Sequence, residues 1–141
     1  MKLKVSQAEV WAVTIDDRPG GLHEKLAPLS EAGANLQFVI SRRTPEQPGK
    51  GVVFVTPIKG AKQTKAAEAA GFQKAMGLHS LRIEGTDKPG VGTNMTEALA
   101  DAGLNLRGLS GGALGRRFVA YVALDTPEDA AKAASILKKL S

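Results

Sequence analysis

Asp17-Arg18-Pro19-Gly20 and, 70 residues later, Asp87-Lys88-Pro89-Gly90 are two copies of one short phrase. At the same offset Ala32-Gly33-Ala34-Asn35-Leu36 is answered by Ala102-Gly103-Leu104-Asn105-Leu106. Ordered self-similarity at a fixed offset marks a repeated structural unit, so the surrounding sequence is read as two copies of one pattern.

Each copy opens with a strand-like run: Val10-Trp11-Ala12-Val13-Thr14-Ile15, then Leu78-His79-Ser80-Leu81-Arg82-Ile83-Glu84. In the second run Leu81 and Ile83 alternate with Ser80, Arg82 and Glu84, the period of a half-buried strand. The Pro of the Asp-(Arg/Lys)-Pro-Gly step disfavours helix in the residue before it and suits the first turn of the helix that follows. That helix carries Leu22, Leu26 and Leu29 in the first copy and Val91, Met95 and Leu99 in the second, and Gly33 and Gly103 are placed to stop it in the left-handed conformation.

Two further strands are expected in each copy, over 35–43 and 51–58 and over 105–110 and 117–124. The second copy's Gly111-Gly112-Ala113-Leu114-Gly115 is read as a turn shorter than the first copy's Thr44 to Gly49, which puts the later strands at an offset of 66. A second helix closes each copy, over 61–70 and 127–140. Thr126 is expected to cap the latter, with Pro127 at its first position and Asp129 in the place of a capping-box acid. Phe72 to Met76 supplies a final strand to the first copy, and the second copy ends at Ser141 without one. The fold expected is therefore α+β: two ferredoxin-like (βαββαβ) sandwich domains in tandem, 1–77 and 78–141. Each has an antiparallel sheet with helices on one face, and the second copy lacks the last strand.

With Asp-(Arg/Lys)-Pro-Gly leading a helix and Ala-Gly-x-Asn-Leu leading the next strand, the chain resembles the ACT-domain family, specifically its small stand-alone members made of two tandem copies. The resemblance covers nearly the whole chain. It implies a regulatory domain that binds a free amino acid or similar small ligand at the loops between first strand and first helix. Carried over by position, Asp17, Arg18, Pro19, Gly20, Gly21 and Leu22 match the segment that cradles ligand backbone atoms, as do Asp87, Lys88, Pro89, Gly90 and Val91. Asn35 with Leu36, and Asn105 with Leu106, match the strand entrance beside it.

The chemistry of these residues suits a zwitterion. A helix N-terminus offers free amide N–H groups and the positive end of its dipole to a carboxylate, and Gly lets a ligand come close to the backbone. Asp17 or Asp87 can meet an ammonium group, while Asn35 or Asn105 can both donate and accept. The same residues also have local roles: Asp before Pro-Gly is a common turn residue, and Asn can satisfy nearby backbone groups. The two copies differ where Leu22 and Leu26 give way to Gly92 and Thr96. Either Val91 and Met95 repack the stripe, or space opens under the second loop.

Composition narrows the function further. A chain that is 43% hydrophobic and 23% charged is an ordinary globular protein, and its lack of Cys excludes disulfides, thiolate metal sites and cysteine nucleophiles. The excess of +5 is mild: residues 1–77 hold 11 basic and 7 acidic side chains, and residues 78–141 hold 8 and 7. No run of five like charges points to a polyanion. Lys50 to Pro57 faintly echoes an RNA-recognition sheet signature, but Val52, Thr56 and Pro57 stand where stacking aromatics are needed. Arg42-Arg43 and Arg116-Arg117 read as solvated strand-end charges.

Only His23 and His79 are available as imidazoles, with no second metal ligand at helical spacing and no arranged nucleophile, so no enzyme, metal or cofactor is expected. There is no apolar core behind Lys2 and Lys4 to act as a signal and no membrane-length apolar run, which implies a cytoplasmic protein. Two functions remain: an amino-acid-binding regulatory module acting on a metabolic enzyme or regulator, or an interaction module with the fold and no ligand. A homodimer is expected, because the second sheet is one strand short unless Leu3-Lys4-Val5 or a partner fills its edge.

Overall fold

The computed structural model describes residues 2–140. They form β1 (Lys4–Ala8), β2 (Trp11–Asp16), α1 (Gly21–Glu31), β3 (Phe38–Arg43), β4 (Lys50–Thr56), α2 (Gly60–Ala69), β5 (Gln73–Lys74), β6 (His79–Thr86), α3 (Val91–Asp101), β7 (Gly108–Leu114), β8 (Arg117–Leu124) and α4 (Pro127–Lys138). Two four-stranded antiparallel sheets result, ordered β3-β4-β2-β5 and β1-β6-β8-β7. The fold is α+β, with a ferredoxin-like sandwich built twice.

Glu9–Ala75 form one compact unit; the residues up to Ala8 and those from Met76 onward form the other. This corrects the expected division at 77/78. β1 lies beside β6, with Val5 opposite Ile83 and Gln7 opposite Leu81, which is the place β5 takes beside β2. The second sheet therefore borrows its fourth strand from the N-terminus. Among the described residues no strand follows α4, but β1 completes the sheet, so the expected gap is no argument for a partner.

In the first unit Trp11, Ile15, Leu29, Val53, Val55, Ala67 and Phe72 make the core, with Leu22, Leu26 and Leu36 packed against it. Phe72 to Met76 contributes only the two-residue β5, while Phe72 itself is buried in that core. In the second unit Leu81, Ile83, Val91, Met95, Leu99, Phe118, Val122 and Leu137 form the core, joined by Leu3 from the segment before β1. The Val91, Met95, Leu99 stripe is buried as expected. In α1 the same stripe falls on Gly21, Lys25 and Leu29, and the Lys25 ammonium leaves it to donate to the Ala70 carbonyl at 2.8 Å.

The second hairpin differs from its reading in the sequence. Gly111, Gly112, Ala113 and Leu114 are strand, paired with Ala120, Val119, Phe118 and Arg117, and the turn is only Gly115 and Arg116. Gly115 sits at φ 61°, a conformation that suits Gly at the first position of a two-residue hairpin turn. Between Arg43 and Gly51 lie seven residues and between Ala113 and Phe118 four, so the later strands stand at an offset of 67 rather than 66: Trp11 faces Val55, and Leu81 faces Val122. α4 starts as expected, with the Asp129 amide donating to Thr126 Oγ1 at 3.0 Å.

Candidate functional site

Both first helices begin in the same way. Gly20 and Gly90 are their N-caps at φ 84° and 88°, and neither helix has a side-chain cap. A Cβ on either Gly would meet nothing within 4 Å, so the left-handed backbone requires Gly here, not the close approach of another group. The loops are pinned to their hairpins by one backbone bond each. The Asp17 amide donates to Gly49 O at 3.0 Å, and the Asp87 amide donates to Arg116 O at 2.7 Å.

Beyond this shared frame the loops diverge. In the second unit an open groove of about 460 Å³ is lined by Asp87, Lys88, Gly90, Val91 and Gly92 from the loop and helix start. Its floor and far wall come from Met95, Leu109, Gly111, Gly112, Ala113, Phe118, Val119 and Ala120. Its size falls within the range of small-molecule sites. One end holds the first turn of α3, where Gly90 supplies no side-chain acceptor and the helix dipole is positive; the Val91 amide there donates to Lys88 O at 3.2 Å, which leaves the Gly92 amide to a ligand. Asp87 and Lys88 stand at the rim, and no ion pair engages either of them among the described residues. The remaining walls carry apolar side chains and the backbone of Gly111 and Gly112.

The groove exists because of small residues. Gly92 stands where the first unit has Leu22, and a Cβ there would meet nothing within 4 Å. Of the two outcomes open for the Leu22-to-Gly92 and Leu26-to-Thr96 departure, both occur: Val91 and Met95 fill the stripe, and space opens beside them. Phe118 reaches the floor through an exchange of bulk between strands. Ile15 faces Gly51 in the first sheet, whereas Gly85 faces Phe118 in the second.

In the first unit Arg43 Nε donates to Asp17 Oδ2 at 2.9 Å, Lys50 Nζ to Asp16 Oδ1 at 2.6 Å, and Arg18 pairs with Glu24. The Lys50 bond holds the Asp16 carboxyl below its usual value. A Cβ on Gly21 would come within 2.2 Å of the Asp16 carbonyl oxygen, so that loop lies directly on the helix start.

Of the residues expected at a site, Asp87, Lys88, Gly90 and Val91 line the groove together. Asp17, Arg18, Pro19, Gly20, Gly21 and Leu22 form the ion-paired loop of the first unit, with Leu22 turned to the core. Asn35 and Asn105 are exposed, and Leu36 and Leu106 pack on the two cores. Contrary to expectation, neither Asn lies beside the loop of its own unit. β7 begins opposite Ala123 and ends opposite Arg117, the partner of Thr86, so Asn105 precedes the far end of the strand. Seven strand residues separate the two ends by roughly 20 Å. Sequence reasoning misses Gly92, Met95, Leu109, Phe118, Val119 and Ala120 as groove residues, and Gly111, Gly112 and Ala113, which it reads as turn; only two residues, Gly115 and Arg116, separate Leu114 from its partner Arg117.

Among the described residues no helix is long and apolar enough to cross a membrane. No protein-family model and no curated protein matches the chain. Solved structures do match in fold. Protein BT0572 from Bacteroides thetaiotaomicron superposes with a TM-score of 0.76 at 16% identity, over 96% of this chain and 99% of that one. The ligand-free regulatory subunit of aspartate kinase from Thermus thermophilus gives 0.65 at 17%, over 97% and 95%. A putative C-terminal regulatory domain of aspartate kinase from Porphyromonas gingivalis gives 0.55 at 14%, over 99% and 96%. The chain shares its fold with these solved structures over 96–99% of its length.

Proposed function

We propose that the protein is a non-enzymatic regulatory module that binds a free amino acid, or a similar small carboxylate, at the loop between first strand and first helix. The observation that carries this reading is the groove at Asp87 to Gly92, where the Gly92 amide at an uncapped helix start, an unpaired carboxylate and apolar walls face one space. The amide takes the ligand carboxylate, Asp87 takes its ammonium, and the walls take its side chain. The aspartate kinase regulatory parts of like fold support a regulatory output. That output is a shift in population passed to a metabolic enzyme or regulator in the cytoplasm. Asn35 and Asn105, at the other end of their own sheets, take no part in this groove.

A thermal-shift screen against the twenty amino acids tests the reading, since a ligand at 100 times its Kd stabilises the folded protein by about 2.7 kcal/mol. A protein unmoved by every amino acid is the outcome that ends it.

A second reading, an interaction module that pairs as a homodimer, is favoured by one surface. On the first sheet's face away from α1 and α2, Ala12, Ile40, Val52 and Phe54 make a half-buried apolar strip across three strands. Light scattering at micromolar concentration tests it, and a mass of 14.7 kDa would end it.

A further inference from the structure

We propose that each chain takes one ligand, not two, in the second repeat alone, and that this ligand is an amino acid with an apolar side chain. The inference rests on the function proposed above and adds which repeat is used and which side chain is read.

The internal repeat supplies its own control. Equivalent positions of the two units, matched through the common sheet register, differ in size and charge at the rim of the groove. Gly92, Gly111, Gly112 and Ala113 on the groove correspond to Leu22, Ser41, Arg42 and Arg43. Met95 on its floor corresponds to Lys25, whose ammonium is held by the Ala70 carbonyl.

The two acids at the loops differ as well. Asp17 is engaged by Arg43 at 2.9 Å, so a ligand ammonium must displace an internal cation to reach it. Asp87 has no such partner among the described residues, because Ala113 stands at the position of Arg43. Leu22 packs on the first core where Gly92 leaves open space, and the Gly21 backbone lies against the Asp16 carbonyl where the second unit accommodates Val91. The first loop thus carries its own occupants: a leucine for the side chain and a guanidinium for the ammonium. Its counterpart has neither.

The walls set the side chain. Val91, Met95, Leu109, Phe118, Val119 and Ala120 contribute no polar side-chain atom, and the two charged residues stand with the loop at the end where the ligand backbone would sit. A charged side chain placed against these walls loses its hydration with nothing to replace it, whereas an aliphatic one gains from burial.

The test is calorimetric titration of the full chain with L-leucine, L-valine, L-lysine and L-aspartate. The expected result is heat with leucine or valine at one equivalent per chain, and none with lysine or aspartate. Gly92→Leu puts the first repeat's plug into the groove at a position with free space and no left-handed backbone. It should abolish the heat while leaving the far-UV dichroism and melting temperature unchanged. Arg43→Ala should leave the stoichiometry at one. Two equivalents per chain, or binding retained in Gly92→Leu, would overturn the single site. Binding of lysine or aspartate that Gly92→Leu removes would overturn the side-chain assignment and leave the amino-acid function standing. Silence with all four would overturn the side-chain assignment, and silence with the twenty in the thermal-shift screen as well would overturn both.

Discussion

At position 85 a missing side chain does structural work that no local propensity reveals. A Cβ on Gly85 would lie 2.7 Å from Phe118 Cε1 and 2.9 Å from Leu3 Cδ2, so the ring that floors the groove is seated by the absence of a methyl group. Gly85→Ala should therefore destabilise the second unit by about 1–3 kcal/mol through overpacking. Phe118→Leu in the same chain should recover part of the loss, giving a non-additive cycle in urea denaturation; additive losses would show that the two positions are not coupled. The same scale governs response to acid. The Arg82 guanidinium, hydrogen-bonded at 3.2 Å, holds the Glu84 carboxyl below its ordinary 4.5, with Lys4 and Arg117 assisting. Arg82 also donates to Tyr121 on the same sheet face. Because the folded pKa is depressed, this contribution is complete above about 4.5 and is lost as pH falls through the lowered value. Asp16, lowered by Lys50, titrates in the same sense. Glu84→Gln should thus shallow the acid limb of a stability profile without removing it, and an unchanged limb would deny Glu84 its part.

Elements whose signals are local are those that sequence reads well. The stripe Val91, Met95, Leu99 is buried, and Thr126 with Pro127 starts α4 where expected, because cap and period are properties of consecutive residues. Thr126→Ala should cost about 1 kcal/mol, measured by chemical denaturation, since it leaves the Asp129 amide without its acceptor. An unchanged midpoint would mean that solvent replaces the hydroxyl at no cost. Legibility fails where a neighbour decides. Gly111-Gly112 has turn composition, yet β8 offers it a partner at every residue and the chain stays extended to Leu114. In α1 the period marks Leu22, Leu26 and Leu29, but burial on the stripe equivalent to α3 falls on Gly21 and Leu29, with Lys25 reaching out between them. The candidate site shares this split. Asp87 to Val91 were legible as a helix start, whereas the groove also needs Gly92 to lack the bulk of Leu22 and Ala113 to lack the charge of Arg43. Those comparisons depend on the register between strands.

For the molecule as a whole, the repeat boundary in sequence and the boundary between compact units are different places, and β1 accounts for the difference. Leu3 is 5% exposed and packs in the second core, and Lys4–Ala8 pair with β6 over five residues. The two units are consequently not two consecutive pieces of chain: the second closes only when residues from both ends of the described chain meet. Deleting residues 1–8 would uncover the β6 edge and withdraw Leu3 from Gly85 and Phe118 while leaving Glu9–Ala75 with all its strands. Hydrogen exchange on the truncated chain should accordingly show lost protection in β6 and α4, both in contact with β1, and retained protection in β2 and β4. An uncovered edge is also a template for pairing with other chains, so the same variant should self-associate in a concentration-dependent way. Uniform loss of protection across both units would show that the first depends on the second. Unchanged protection throughout would show that β6 does not need its neighbour, and the account of how this sheet is completed would fall.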